Sequence, residues 1–369
     1  MTAQGLMRIE RYTVAICFGI LLAGAVNVRA VLFKSTGDPG YNTNAPTGSL
    51  TNSGWQYEGD WSSYLGTTIA PRYFVAAKHV GGSIGQPFVL NGFSYMTITN
   101  FPNPNSDLVI WKVAETFPIY APLYTNSNEI GQRCVVFGRG TQRGTPVILD
   151  KTNGWRWGST DGVKRWGEND VGTIVAGGAG FGDLLRANLS RNGGSNECHL
   201  SVGDSSGAMF ITNGGAWKLA GIHYSVDGYF SFTGSDTDRF DGAMMDVGGL
   251  YVGSDAHGWT LYPNQATDIS SGFYSTRISA NLAWINSVID FLPGDDLRIT
   301  AIEQVGNDVS VSFATGANRL YYVERTDYLL SGSWTIFTNN VPGTGGTVSV
   351  IDINAATLSN RFYRLGLVP

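Results

Sequence analysis

The sequence carries little charge. Asp, Glu, Lys and Arg make up 14% of its 369 residues, and the formal net charge is −5. Hydrophobic residues account for 43% of the chain, and 49 residues are glycine. This composition argues against a disordered chain and is typical of a folded, turn-rich β protein. The negative balance also disfavours nucleic acid and anionic lipid as partners, because both attract basic surfaces.

Long apolar runs are missing, except near the amino terminus. Residues 13–26 form an apolar stretch that follows Arg8 and Arg11 and precedes Val-Arg-Ala at 28–30. This order is typical of a secretory signal peptide, and about 14 residues is short for a membrane span. We therefore expect residues 1–30 to be removed on export, to the periplasm or outside the cell, with an uncleaved anchor as the alternative. Their loss removes three Arg and one Glu, which leaves a net charge of about −7. No later apolar run is long enough to span a membrane, so we expect no span in the mature chain.

Cysteine and histidine are both scarce. Of three cysteines, Cys17 lies in the predicted signal peptide, which leaves Cys134 and Cys198. Export permits a disulfide between these two, and a pair of free buried thiols is an equal alternative. No metal-ligand spacing of histidines or carboxylates is recognisable, so we expect no metal site. The four histidines are His79, His199, His223 and His257.

Amphipathic helical periodicity is nearly absent from residues 31–292. The apolar runs at 74–77, 108–111 and 135–137 are short and separated by clusters of Gly, Asn, Asp and Pro. This pattern predicts an antiparallel barrel or sandwich.

One helix is predicted to close this region. Ser279 is a plausible N-cap, and apolar residues then recur at helical spacing until Pro293. Residues 293–296 resemble a linker, and the alternating pattern and turns of 297–369 predict a separate small β-sandwich. We expect this second unit to bind a cell surface, a polymer or sorting machinery, or else to act as a stabilising appendage.

Three separate segments carry groups suited to nucleophilic catalysis. Residues 203–208 read GDSSGA, where glycines around Ser205 allow a tight bend and let backbone N–H groups converge on one point. His79 directly follows an apolar strand, and Asp107 directly precedes another. A serine nucleophile needs a histidine base and a carboxylate that orients it.

These segments resemble the chymotrypsin/trypsin family of serine peptidases. FVAAKH at 74–79 resembles the family's TAAH segment, NSDLVI at 105–110 its N-D-I-A-L strand, and GDSSGA its GDSGGP motif. Further matches run in the same order from about residue 70 to 292. The resemblance implies His79 as general base, Asp107 as orienting carboxylate and Ser205 as nucleophile, with the N–H groups of Gly203 and Ser205 as the oxyanion hole.

The same resemblance implies the fold and the activity. We expect an all-β domain at 31–292, built from two six-stranded antiparallel β-barrels and a closing helix. Its activity would be hydrolysis of peptide bonds in a protein or peptide substrate through an acyl-enzyme. This chemistry requires no metal or organic cofactor.

The chain departs from the family pattern at several positions. Ser206 replaces a glycine, which makes it a minor alternative to Ser205 as the reactive hydroxyl. Residues 153–182 have no counterpart. No activation peptide is recognisable between Ala30 and the first strand, so we do not expect Asp204 to pair with a newly cut amino terminus.

The primary specificity pocket is predicted from the same match. The family residue six positions before the nucleophile lies at the base of this pocket, and here it is His199. His223 lies in a GIH segment that resembles that of bacterial glutamyl endopeptidases. Two imidazoles would favour an acidic side chain, and a pocket for apolar residues is the equal alternative.

Two other functions remain possible from the sequence. The segment around Ser205 also satisfies G-x-S-x-G, the nucleophile elbow of esterases, although a hairpin rather than a helix is expected after it. A catalytically inactive, protease-like binding protein is the second alternative.

Overall fold

The structure is a computed structural model that describes residues 31–289, 297–316, 319–329 and 333–368. The predicted signal peptide (1–30) and linker (293–296) lie outside the described residues. The chain divides into two compact units between Leu282 and Ala283. This division falls earlier in the chain than the boundary predicted at residue 292.

Antiparallel strands dominate the first unit. In chain order they are β1 Leu32–Phe33, β2 Glu58–Trp61, β3 Tyr64–Ala70, β4 Tyr73–Ala77, β5 Pro87–Leu90, β6 Phe93–Pro102, β7 Leu108–Val113, β8 Arg133–Gly138, β9 Thr141–Ile148, β10 Thr152–Thr160, β11 Arg165–Ala176, β12 Asp183–Asn188, β13 Cys198–His199, β14 Ala208–Asn213, β15 Ala216–Val226, β16 Phe230–Ser231, β17 Gly242–Met244, β18 Tyr251–Ser254, β19 Gly258–Leu261 and β20 Gly272–Arg277. Two closed six-stranded barrels result, in the orders β2-β3-β4-β7-β6-β5 and β11-β12-β20-β15-β14-β8. The predicted all-β double barrel is therefore confirmed.

The first barrel is organised around the pair β4 and β7. Every residue of β4 is buried, as are all but one of β7, which suits strands whose two faces are both covered. Inside this barrel, Phe74 stacks on Phe88 with ring centroids 4.2 Å apart, and Trp61 and Trp111 pack beside them. The ends of β4 and β7 are therefore anchored by an aromatic core.

The second barrel encloses an aliphatic core that also contains both cysteines. Its buried members include Val136, Leu185, Met209, Ile211, Ala220 and Phe273. Strand β1 pairs with β13, so that Leu32 lies opposite His199.

Two small sheets lie outside the barrels, in the orders β17-β10-β9 and β16-β18-β19. They share an apolar cluster of their own, formed by Val147, Phe230, Phe240, Met244, Val247 and Leu250. Part of the stretch at 153–182 without a family counterpart forms β10 and β11.

Helices are short. The predicted closing helix appears as a 3-10 turn, Ser279–Asn281, followed by α1, Leu282–Val288. Its predicted end at Pro293 lies outside the described residues. No helix among the described residues is long and apolar enough to cross a membrane. The other 3-10 turns are Gly48–Leu50, Trp55–Tyr57, Lys78–Val80, Asp236–Asp238 and Ala355–Thr357.

The second unit contains two three-stranded sheets, in the orders β21-β22-β25 and β24-β23-β26. Phe313 from one sheet and Tyr321 and Val323 from the other form a common buried core. The unit is thus a small β-sandwich with a core of its own. Its strands are β21 Ile299–Val305, β22 Asp308–Ala314, β23 Leu320–Thr326, β24 Thr335–Pro342, β25 Thr347–Asp352 and β26 Phe362–Leu367.

Candidate active site

His79 and Asp107 are brought together by the pairing of two strands. β4 ends at Ala77 and β7 begins at Leu108, and these residues are register partners. His79 follows in the turn Lys78–Val80, and Asp107 immediately precedes β7. Nδ1 of His79 lies 2.5 Å from Oδ2 of Asp107, and the backbone N–H of His79 donates to Oδ1 at 3.0 Å.

The two side chains differ in exposure. Asp107 is 2% exposed and His79 is 38% exposed. A buried carboxylate at Nδ1 favours the imidazole tautomer that carries its proton there. Nε2 is then free to accept a proton from a second partner.

The loop that carries Ser205 is a tight turn between β13 and β14. Gly203 and Ser206 have positive φ angles of +92° and +69°. A Cβ at Gly207 would lie 2.0 Å from the carbonyl oxygen of Phe137, so this position requires glycine. Ser205 itself is half-buried.

This loop lies beside the strand end that leads to His79. The N–H of Ser206 donates to the carbonyl of His223 at 2.9 Å, and the N–H of Ala77 donates to Oγ of Ser206 at 2.9 Å. Ser206 has no exposed surface. Its hydroxyl is therefore buried between the barrels, whereas Ser205 has access to solvent.

Two backbone donors remain available next to Ser205. Within the described part of the chain, the N–H groups of Gly203 and Ser205 donate to no acceptor, as an oxyanion hole requires. No hydrogen bond joins Oγ of Ser205 to Nε2 of His79 among the described residues, and such bonds are often long before substrate binds.

Asp204 is almost fully buried and has several donors. It accepts the N–H groups of Val31 at 3.2 Å, Gly140 at 2.6 Å and Ser201 at 2.8 Å. Burial raises the pKa of Asp204 to about 6, although these hydrogen bonds lower it in part. Val31 directly follows the predicted cleavage site, so the nitrogen next to Asp204 is the one that cleavage after Ala30 would free. Here that nitrogen is a backbone amide, and the expectation that Asp204 pairs with no newly cut amino terminus stays a prediction.

The two histidines of the predicted specificity pocket, His199 and His223, are both buried. Nδ1 of His199 donates to the carbonyl of Leu200 at 2.6 Å, and its Nε2 lies 3.2 Å from Oγ of Ser271. Nδ1 of His223 lies 2.9 Å from Oγ of Ser275. Nε2 of His223 has no hydrogen-bond partner among the described residues.

A single aromatic ring packs against both imidazoles. The ring centroid of Phe273 lies 5.6 Å from that of His199 and 6.2 Å from that of His223, edge-on in each case. Burial lowers the pKa of both histidines, that of His223 to about 3. The His223 ring is therefore neutral at physiological pH, burial disfavours a charge on His199, and the acidic pocket stays a prediction.

The disulfide alternative requires correction, because Cys134 and Cys198 are free and buried. Sγ of Cys134 donates to the carbonyl of Asn169 at 3.2 Å, and Sγ of Cys198 donates to that of Glu168 at 3.6 Å. Each thiol thus faces a separate backbone acceptor on β11. Burial raises the pKa of both thiols, which keeps them protonated.

The sequence analysis missed Tyr224. Its ring centroid lies 5.8 Å from that of His79, edge-on, and 5.3 Å from that of Phe181. Burial, with the charge of Asp107, raises the pKa of Tyr224, so its phenol stays protonated. The available signal was an aromatic residue directly after His223 of the GIH segment.

Similar proteins were found only among solved structures. No family model and no curated protein matches the chain. Kallikrein-related peptidase 10 is 15% identical over 67% of this chain and 99% of its own, with a TM-score of 0.35. Neuropsin, a serine protease expressed in the limbic system of mouse brain, is 15% identical over 65% and 96%, with a TM-score of 0.37. An inactive form of Rv3671c from M. tuberculosis H37Rv is 14% identical over 68% and 95%, with a TM-score of 0.37.

Proposed function

We propose that this chain is an exported serine endopeptidase. Ser205 acts as nucleophile, His79 as general base and Asp107 as the carboxylate that orients it. The observation that carries the proposal is the pair His79–Asp107, with Nδ1 held at 2.5 Å by a buried carboxylate next to the loop of Ser205.

In the proposed reaction, Oγ of Ser205 attacks the peptide carbonyl while its proton passes to Nε2 of His79. The N–H groups of Gly203 and Ser205 bind the oxyanion, and Asp107 stabilises the imidazolium. His79 then protonates the leaving amine as the C–N bond breaks. Water hydrolyses the resulting ester of Ser205 by the same route in reverse.

The arrangement of strands disfavours the esterase alternative. A G-x-S-x-G elbow needs a strand, a sharp turn and then a helix. Here Ser205 is followed by the antiparallel pair β14 and β15, with Ala208 opposite Ile222. His79 and Asp107 also precede the serine, whereas the elbow fold places its partners after it.

The remaining parts of the proposal concern location and partners. Removal of residues 1–30 would release the chain to the periplasm or the medium, where its substrate is a protein or peptide. The β-sandwich at 297–369 would bind a cell surface or sorting machinery, with a stabilising role as the alternative. Its separate core supports an independent module.

A serine-reactive phosphonate probe tests the proposal. We expect the folded protein to form one covalent adduct on Ser205, and both Ser205→Ala and His79→Ala to abolish labelling and peptide hydrolysis. Ser94→Ala, an exposed serine of the first barrel, is the matched control and should react like the wild type. An adduct on Ser206 would reassign the nucleophile. No adduct on the folded wild type would favour the inactive binding protein.

A further inference from the structure

Ser206 forms a hydrogen bond between the two barrels. Its Oγ accepts the N–H of Ala77 at 2.9 Å, and the two residues are 0% and 1% exposed. Ala77 ends β4 of the first barrel, while Ser206 lies in the loop that enters β14 of the second. This bond lies next to the proposed catalytic residues and uses a side chain that glycine would not supply.

The N–H of Ala77 needs an acceptor from outside its own sheet. The next N–H along, that of Lys78, donates to the carbonyl of Asp107 at 2.9 Å. Since successive N–H groups of a strand point to opposite sides, that of Ala77 points away from β7. On that side the register of β3 with β4 ends at the pair Thr67 and Val75. Ser206 thus supplies a buried N–H with the partner that the sheet lacks.

The backbone of Ser206 would suit glycine better. Its φ of +69° lies in the left-handed region, which glycine occupies without steric cost. The buried, hydrogen-bonded serine at this position therefore adopts its backbone conformation at a steric cost that glycine would avoid.

We propose that Ser206 is a positioning residue, whose hydroxyl holds the end of β4 in register with the loop of Ser205. The proposal rests on the proposed function, because it concerns how His79 is aligned with Ser205. Three consecutive N–H groups are fixed here: Ser206 holds that of Ala77, and Asp107 holds those of Lys78 and His79. Asp107 therefore fixes the position of the His79 imidazole within the first barrel. Ser206 fixes the end of β4 in the first barrel against the Ser205 loop of the second barrel.

Two substitutions at Ser206 distinguish a positioning role from the alternative that serine merely occupies a position where glycine would serve equally well. Ser206→Ala removes the acceptor and keeps a side chain at positive φ, whereas Ser206→Gly removes the acceptor and relieves the backbone. If Ser206 aligns the two residues, both variants should lower kcat and the rate of phosphonate labelling about 10- to 100-fold with KM nearly unchanged, as expected for a small displacement of reacting groups. Ser206→Gly should do so even though its melting temperature equals or exceeds that of Ser206→Ala.

The matched control is Ser231→Ala. Ser231 is a buried serine in the β16 sheet whose Oγ accepts the N–H groups of Thr233, Gly234 and Ser235 and donates to Asp238. Ser231→Ala thus loses more hydrogen bonds than Ser206→Ala, but away from the loop of Ser205, so the kcat of the folded variant should match the wild type. A Ser206→Gly variant with wild-type kcat and labelling would overturn the proposal and show that serine merely substitutes for glycine.

Amide hydrogen exchange provides a readout that does not depend on activity. The N–H of Ala77 should exchange at least about tenfold faster in both Ser206 variants, as an amide that has lost its protecting hydrogen bond. The N–H of Lys78, held by Asp107, is the internal reference and should not change. Unchanged exchange at Ala77 would disprove the interbarrel bond. A wild type without any labelling would refute the proposed function, and exchange would still decide whether the bond exists.

Discussion

Nδ1 of His79 and Oδ2 of Asp107 are 2.5 Å apart, and the backbone N–H of His79 donates to Oδ1 of the same carboxylate at 3.0 Å. One buried side chain therefore fixes both the imidazole and the backbone that carries it. Each oxygen of Asp107 has a separate task, which makes the effect of a single substitution predictable.

Asp107→Asn should lower kcat by about 10⁴ while leaving the fold intact. The backbone N–H of His79 still needs an acceptor, so the amide oxygen would stay on that side. The amide NH₂ would then face Nδ1 and force the imidazole proton onto Nε2, which could no longer accept the proton of Ser205. Peptide hydrolysis under saturating substrate measures the effect, with circular dichroism as the check on folding. Asp150→Asn, an exposed aspartate, is the control, and a loss of kcat below tenfold in Asp107→Asn would contradict the proposed role.

Specificity should not depend on protonation of His199 or His223, the two histidines of the predicted pocket. Burial lowers the pKa of His223 to about 3 and also lowers that of His199 below its usual value. The His223 ring therefore gains no proton between pH 8 and pH 6, and burial disfavours a proton on His199. For two peptides that differ only in Glu or Phe before the cut, the ratio of kcat/KM should stay the same at both pH values. Any effect of pH on the catalytic steps themselves applies to both peptides and cancels in this ratio. A ratio that shifts toward Glu at pH 6 would indicate a protonated pocket.

Stability should depend on whether the nitrogen of Val31 is an amide or a free ammonium. When the nitrogen of Val31 is an amide, the pKa of Asp204 is about 6, above the value near 3.9 of an Asp in the unfolded chain. The folded state then binds more protons between about pH 4 and pH 6, so the free energy of unfolding falls as pH rises through this window. The loss is roughly 3 kcal/mol at neutral pH. A free ammonium would stabilise the carboxylate and reduce this loss.

Urea unfolding at pH 4, 5.5 and 7 measures this difference. One protein should begin at Val31, released by a protease whose cut leaves that residue first, and the other should keep a few residues ahead of it. The gap between their unfolding free energies should widen with pH. Asp204→Asn, which has a similar shape and no charge, should abolish this widening. Parallel pH curves for the first two proteins would show that the nitrogen of Val31 and Asp204 are not coupled.

Deletion of residues 297–369 should leave peptide hydrolysis within about twofold of the full chain, because the β-sandwich buries its own core. Differential scanning calorimetry of the truncated protein should show one unfolding transition fewer than that of the full chain. A truncated protein that does not fold would instead indicate that the two units stabilise each other.

Much of the proposed catalytic residue set could be predicted, because its members lie beside recognisable strands or in a glycine-rich turn and their segments resemble those of one family. His79 follows the apolar run of β4, Asp107 precedes that of β7, and glycines surround Ser205. Short apolar runs between turns predicted an antiparallel barrel or sandwich, and the resemblance to the chymotrypsin/trypsin family implied the two barrels. Their closure and the register that places Ala77 opposite Leu108 are properties of the folded chain.

The surroundings of the site depend on contacts between distant segments. Position in the sequence suggests that His199 and His223 line a pocket, but Phe273, on a strand far along the chain, packs against both. Likewise, the carbonyl acceptors of Cys134 and Cys198 come from β11. The bond between Ser206 and Ala77 links residues 129 positions apart, so no local pattern could reveal it.

The location of Val31 matters for anyone who prepares this protein. A purification handle fused directly ahead of Val31 would keep its nitrogen as an amide, 3.2 Å from a buried carboxylate. A handle after residue 369 would follow the β-sandwich, which has a separate core. The choice of handle is therefore an experimental variable: material tagged at the amino end could be correctly folded and yet differ in stability and activity from material tagged at the carboxyl end.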